Sequence, residues 1–173
     1  MIKLGNLKEH IGKEVEVQAF VDNVRNIKWV QFIVLRDLTG KVQVTIEKSL
    51  EENKEMVELV NELTIDSTVK IKGKLIENEN VKLNGMEIIP TSIEVTSKCL
   101  GELPFNYNNL EGVNLDTRLD HRFIDLRNEK NGLIFKVQST LIRYMREYLY
   151  NNNFTEIHTP KMIGAASESG SEV

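Results

Sequence analysis

The chain has 173 residues, 40% of them hydrophobic and 28% charged, which is enough for one ordinary domain plus part of another. Its net charge of −4 excludes a general charge-driven grip on nucleic acid, and residues 1–100 alone carry 14 Lys and Arg against 16 Asp and Glu. A single cysteine, Cys99, excludes an internal disulfide and a multi-cysteine zinc site.

No apolar run approaches the roughly 20 residues that span a bilayer. The opening Met-Ile-Lys-Leu-Gly-Asn-Leu-Lys-Glu-His has neither the apolar stretch of a secretory signal nor the bias of a transit peptide, so a reducing cytoplasm is the expected setting. In chain order, Leu7 to Ile11 reads as a short helix stopped by Gly12. From Glu14 the residues alternate, with Val15, Val17, Ala19 and Val21 on one face of a half-buried strand. A second strand is predicted from Trp29 to Arg36. The turn Asp37-Leu38-Thr39-Gly40 follows, and then a third strand through Val42, Val44 and Ile46. Met56, Leu59, Val60 and Leu63 recur at helical spacing within Glu52 to Leu63. Strand signals resume at Val69, Ile71 and Gly73 to Ile76, and a last strand is predicted from Met86 to Val95.

Five short strands with one helix between the third and fourth match the order of an OB-fold barrel. Any small antiparallel β domain with a packing helix would read the same way. Lys98 to Val113 has no periodicity and holds Gly101, Pro104 and Gly112, as a linker does. Beyond it, Leu133 to Tyr150 is a predicted helix with Ile134, Val137, Leu141, Met145, Tyr148 and Leu149 on one face. Phe154 to His158 alternates like a strand and ends before Pro160, which lacks an N–H for a sheet ladder. The remaining Gly164 to Ser171 is a loop by composition. His10, His121 and His158 show no metal-ligand spacing.

Two stretches carry a family resemblance. Asn114-Leu115-Asp116-Thr117-Arg118-Leu119-Asp120-His121-Arg122-Phe123-Ile124-Asp125-Leu126-Arg127 resembles the entry into the catalytic domain of aspartyl-tRNA synthetases of the archaeal and eukaryotic type. Asn153 to Val173, NFTEIHTPKMIGAASESGSEV, resembles motif 1 of class II synthetases and the loop after it, with Pro160 as the motif's proline. The resemblance implies an OB-fold anticodon-binding domain over 1–98 and a linker over 99–115. It also implies the start of a class II α+β catalytic domain, through its motif 1 helix and strand, over 116–173.

It further implies roles for individual residues. Arg25, Phe32, Gln43 and Glu87 match the family's anticodon readers: Phe32 as a stacking ring for the middle base, Gln43 as a base-edge carboxamide, Glu87 as an acceptor for the first base, guanine, and Arg25 as a base or phosphate contact. By residue type alone, Phe32 reads as core and Gln43 as an ordinary strand residue. Pro160 belongs to the dimer-interface motif. Ser167 and Glu168 resemble the mobile loop over the aspartate substrate, although Ser169 stands where many relatives have a glycine.

The whole enzyme implied is an aspartate–tRNA ligase, a homodimer that uses ATP and Mg2+ to charge tRNA(Asp), with neither DNA nor membrane as partner. The arginine-bearing motifs 2 and 3 that hold ATP would lie beyond residue 173, so this chain is expected to bind neither cofactor and to be inactive alone. An enzyme charging both tRNA(Asp) and tRNA(Asn) is an alternative, as is an asparaginyl-tRNA synthetase. Asp22, where discriminating relatives often carry a tryptophan, points to relaxed specificity. A non-catalytic OB-fold RNA-binding module is the distant alternative.

Overall fold

The computed structural model describes residues 1–159, in two compact units, Met1–Gly101 and a second that begins at Glu102. The first unit is a closed barrel of β1 (Glu14–Asn26), β2 (Val30–Arg36), β3 (Lys41–Glu47), β4 (Thr68–Glu77) and β5 (Met86–Ser97). Strand order around the barrel is β1-β2-β3-β5-β4, and every pairing is antiparallel except β3 with β5. That arrangement is the OB-fold barrel expected from the strand order.

Alternation puts Val15, Val17, Ala19 and Val21 of β1 inside with Ile33, Leu35, Val42, Val44, Ile46, Val69, Ile71, Leu75 and Ile88, all nearly solvent-free. The ends of the barrel are plugged differently. Leu4 and Leu7, from a 3-10 helix over Leu4–His10, fill the end beside the Asp37 turn. The first helical segment was expected over Leu7 to Ile11; it begins three residues earlier and winds more tightly, and Gly12 stops it at φ +82°. At the other end α1 (Lys54–Asn61), entered through a 3-10 turn at Glu51–Asn53, buries Val60 and lays Val57, Leu59 and Leu63 against the core.

The Asp37 turn holds the hairpin and the N-terminal plug together. Its carboxylate accepts from the Thr39 hydroxyl and from the backbone N–H groups of Thr39, Gly40 and Leu4, the last at 2.9 Å. Partial burial alone would raise the Asp37 pKa, but these donors together outweigh it and hold the carboxyl below its usual range.

In the second unit, α2 (Leu115–Asp120) and α3 (Arg122–Asp125) precede α4 (Glu129–Asn151). Asp125 is fully buried and takes the Arg118 Nε at 2.7 Å, the Arg122 guanidinium and the Asn131 amide at 2.9 Å, so its charge is compensated. The aperiodic segment ahead of α2 forms no regular element, yet Phe105 and Tyr107 bury themselves with Ile124. Asn128 caps α4, accepting from the N–H groups of Lys130 and Asn131, which starts the helix four residues before Leu133. Phe154 to His158 was expected as a strand. The residues lie outside any ladder, because no described strand runs beside them to take their backbone groups. Glu156 instead meets Arg146 at 2.9 Å and the Tyr150 hydroxyl at 3.0 Å. Pro160, Ser167 and Glu168 lie outside the described residues.

Candidate nucleic-acid interface

The outer face of β1, β2 and β3 collects the polar and aromatic residues that alternation excludes from the core. Register sets Arg25 opposite Phe32, Phe32 opposite Thr45, and Val34 opposite Gln43. Phe32 is half-buried on this face, while Ile33 and Leu35 point inward. Its role as a core residue is thereby excluded. The Arg25 guanidinium lies over the Phe32 ring, 5.5 Å from its centre.

Barrel closure brings in the fourth group. The parallel pairing of β3 with β5 aligns Gln43 with Glu87. Glu87 is 5% exposed, and three side chains donate to its carboxylate. Asn78 reaches Oε1 at 2.7 Å, Gln43 Nε2 reaches Oε2 at 3.2 Å, and the Thr45 hydroxyl also bonds to Oε2. A carboxylate has about four acceptor sites, so roughly one remains for a ligand. Gln43 Nε2 also faces the Thr45 oxygen at 3.3 Å, so both amide protons are turned inward.

Beside this array lies an open pocket of about 570 Å³, lined by Arg25, Val34, Gln43, Asn80, Lys82 and Leu83. The last three come from the β4–β5 loop, whose shape is set locally. The Asn78 side chain accepts from the Asn80 N–H at 3.0 Å, Gly85 turns at φ +69°, and the Asn84 amide ties the loop to the Lys41 carbonyl at 2.7 Å. Lys28 sits over the exposed Trp29 ring, and Lys48 bonds to the Asn26 side chain and the Ile27 carbonyl at the mouth of the β1–β2 hairpin. Cations are therefore concentrated here although the chain as a whole is acidic.

All four expected readers fall in one neighbourhood: Arg25 on Phe32, Phe32 across from Thr45, and Thr45 bonded with Gln43 to Glu87. Thr45, Asn78, Asn80, Lys82 and Trp29 were not singled out from the sequence. The period of two that places Gln43 outward also places Thr45 outward, and that signal was available. Asp22 sits at a β-bulge between Val21 and Asn23, which turns it toward Arg36 Nε and Lys41 Nζ, each at 3.1 Å. Among the described residues no group of three or more His, Cys, Asp or Glu side chains could hold a metal ion, and no helix is long and apolar enough to cross a membrane.

Two family models match the chain. An OB-fold nucleic acid binding domain matches residues 15–96, and the tRNA synthetases class II (D, K and N) match residues 114–173. The aspartate–tRNA(Asp) ligase of Picrophilus torridus is 39% identical over 160 residues, covering 92% of this chain and 37% of the relative. The aspartate–tRNA(Asp/Asn) ligase of Methanopyrus kandleri is also 39% identical, over 95% of this chain and 38% of the relative. Asparaginyl-tRNA synthetase from Pyrococcus horikoshii, solved with asparaginyl-adenylate, superposes with a TM-score of 0.86 at 28% identity, over 98% of this chain and 38% of that one. The chain thus spans a little over a third of the length of the relatives it matches. It belongs to the class II tRNA synthetases of the D, K and N group, with an OB-fold nucleic-acid-binding domain ahead of the opening segment of the synthetase domain.

Proposed function

We propose that this chain is the anticodon-reading and opening catalytic portion of an aspartate–tRNA ligase. Residues 1–98 form the reading domain, 99–115 the linker and 116–173 the start of the catalytic domain. The observation that carries the reading is the outer-face array in which Arg25, Phe32, Gln43 and Glu87 are joined through Thr45. An unstacked anticodon base laid on Phe32 would gain about 1–3 kcal/mol from stacking. Arg25 would either cover that base or move to its phosphate. Glu87 keeps about one free acceptor site for an N–H of guanine's pairing edge. Lys82 and Arg25 give the pocket the positive charge that a backbone phosphate needs.

The whole protein would activate aspartate with ATP and Mg2+ in the cytoplasm, transfer it to tRNA(Asp) and work as a homodimer through motif 1. Pro160 belongs to that motif, and Ser167 and Glu168 to the loop over the amino acid.

A second reading is charging of both tRNA(Asp) and tRNA(Asn). It is favoured by Asp22, whose carboxylate is held between Arg36 and Lys41, and by a relative named for both tRNAs. Titration of the chain at one stated salt concentration with GUC, GUU and scrambled anticodon stem-loops tests both readings. Preference for GUC over GUU supports an aspartate-specific barrel, and equal binding of the two above the scramble supports dual charging. No preference over the scramble would remove the roles of Arg25, Phe32, Gln43 and Glu87.

A further inference from the structure

The carboxamide of Gln43 is held with a definite polarity, set by the Glu87 carboxylate and completed by the Thr45 hydroxyl. Gln43 Nε2 lies 3.3 Å from Thr45 Oγ1 and 3.2 Å from Glu87 Oε2, while the Thr45 hydroxyl itself donates to the same Glu87 oxygen. Reversing the amide would put its carbonyl oxygen against a carboxylate with no proton between them. Chemistry therefore fixes the orientation. With both protons turned inward, the Gln43 carbonyl is left as the group with no partner among the described residues, and Gln43 lines the open pocket beside Val34 and Arg25.

We propose that Thr45 is a positioning residue for base selection: its hydroxyl locks Gln43 and Glu87 into one unit, so that Gln43 presents only an acceptor to the pocket. This inference rests on the anticodon reading and deepens it. Phe32 is directly opposite Thr45 and diagonal to Gln43, so the edge of a base stacked on Phe32 falls within reach of the Gln43 carbonyl. An outward acceptor selects a base that offers a ring N–H. Uracil offers N3–H; cytosine has a lone pair at the same position and would face the carbonyl acceptor to acceptor. Without the Thr45 hydroxyl, Gln43 keeps one tether instead of two. The amide proton that Thr45 accepted is then free, and Gln43 can offer it as a donor to cytosine.

The test compares Thr45→Val with the unaltered chain for binding to GUC and GCC anticodon stem-loops at fixed salt. Valine preserves the shape and suits a strand, and Thr45 is only half-buried, so the barrel is retained. A thermal melt checks this. The unaltered chain is expected to prefer GUC. Thr45→Val should reduce the GUC-to-GCC preference by about 3- to 10-fold, the size of one lost hydrogen-bond constraint, and Thr45→Ser should restore it. A merely structural role would weaken both loops equally and leave the ratio unchanged. If Thr45→Val keeps the ratio while the unaltered chain discriminates, the positioning role is overturned and the anticodon reading stands. If the unaltered chain does not separate GUC from a scrambled loop, both fall.

Discussion

Asp37 shows how much one side chain at a turn can organise. It closes the β2–β3 hairpin through Thr39 and Gly40 and fixes the N-terminal plug through Leu4. Removing it by Asp37→Ala should cost about 1–3 kcal/mol at neutral pH, since several N–H groups lose an ionised acceptor. Because the folded carboxyl titrates below its usual 3.8, this stability is present in full above that value and lost as pH falls through the folded pKa. Urea unfolding at pH 7 and at successively lower pH should therefore show the gap between the two proteins narrowing in acid; a gap independent of pH would contradict the role. Single residues of the interface were unequally legible. Phe32 reads as core by residue type, and its place on the outer face follows from its alternation with Ile33 and Leu35; Gln43 alternates in the same way with Val42 and Val44. The burial of Glu87 was not legible, because it depends on Asn78 and Thr45, which approach from two other segments.

At the scale of elements, the strands were visible because each is a half-buried ribbon with a period of two. Their ends were less so: β1 runs on to Asn26, past a bulge at Asp22 that breaks the alternation. The pairing of β4 with β5 contains another irregularity, at Gly73, where the Ile89 carbonyl and Pro90 cross so closely that an added Cβ would lie 2.2 Å from the Ile89 oxygen. Neither backbone can move without breaking the ladder, so Gly73→Ala should destabilise the barrel by at least about 1–3 kcal/mol. A melting temperature equal to that of the unaltered protein would show that the strands separate at little cost. The expected strand at Phe154 to His158 failed for a related reason. A strand is a property of two segments, and sequence alternation describes only one.

Over the whole molecule, the barrel buries its apolar residues while α4 leaves its own on the surface. Leu141, Met145 and Val137 are each more than half exposed. Leu141→Lys should accordingly change the melting stability of this chain by no more than about 0.5 kcal/mol, lysine being as good a helix former as leucine. If the proposed motif 1 dimer covers this face in the longer protein, the same substitution should dissociate it in sedimentation. A loss above about 1 kcal/mol in the present chain would instead mean that the face is already packed. The amphipathic pattern of α4 announced an apolar face without saying what would lie on it.

The barrel closes through β3 and β5 with only two register pairs, Gln43 with Glu87 and Val44 with Ile88, against seven between β2 and β3. Local opening of the sheet is easiest where the ladder is shortest. Gln43, which clasps that seam together with Thr45 on its own strand and Glu87 on the other, also lines the pocket. A nucleotide seated there would damp the breathing of the barrel at its weakest line, and the rigidity of the domain would rise with its occupancy.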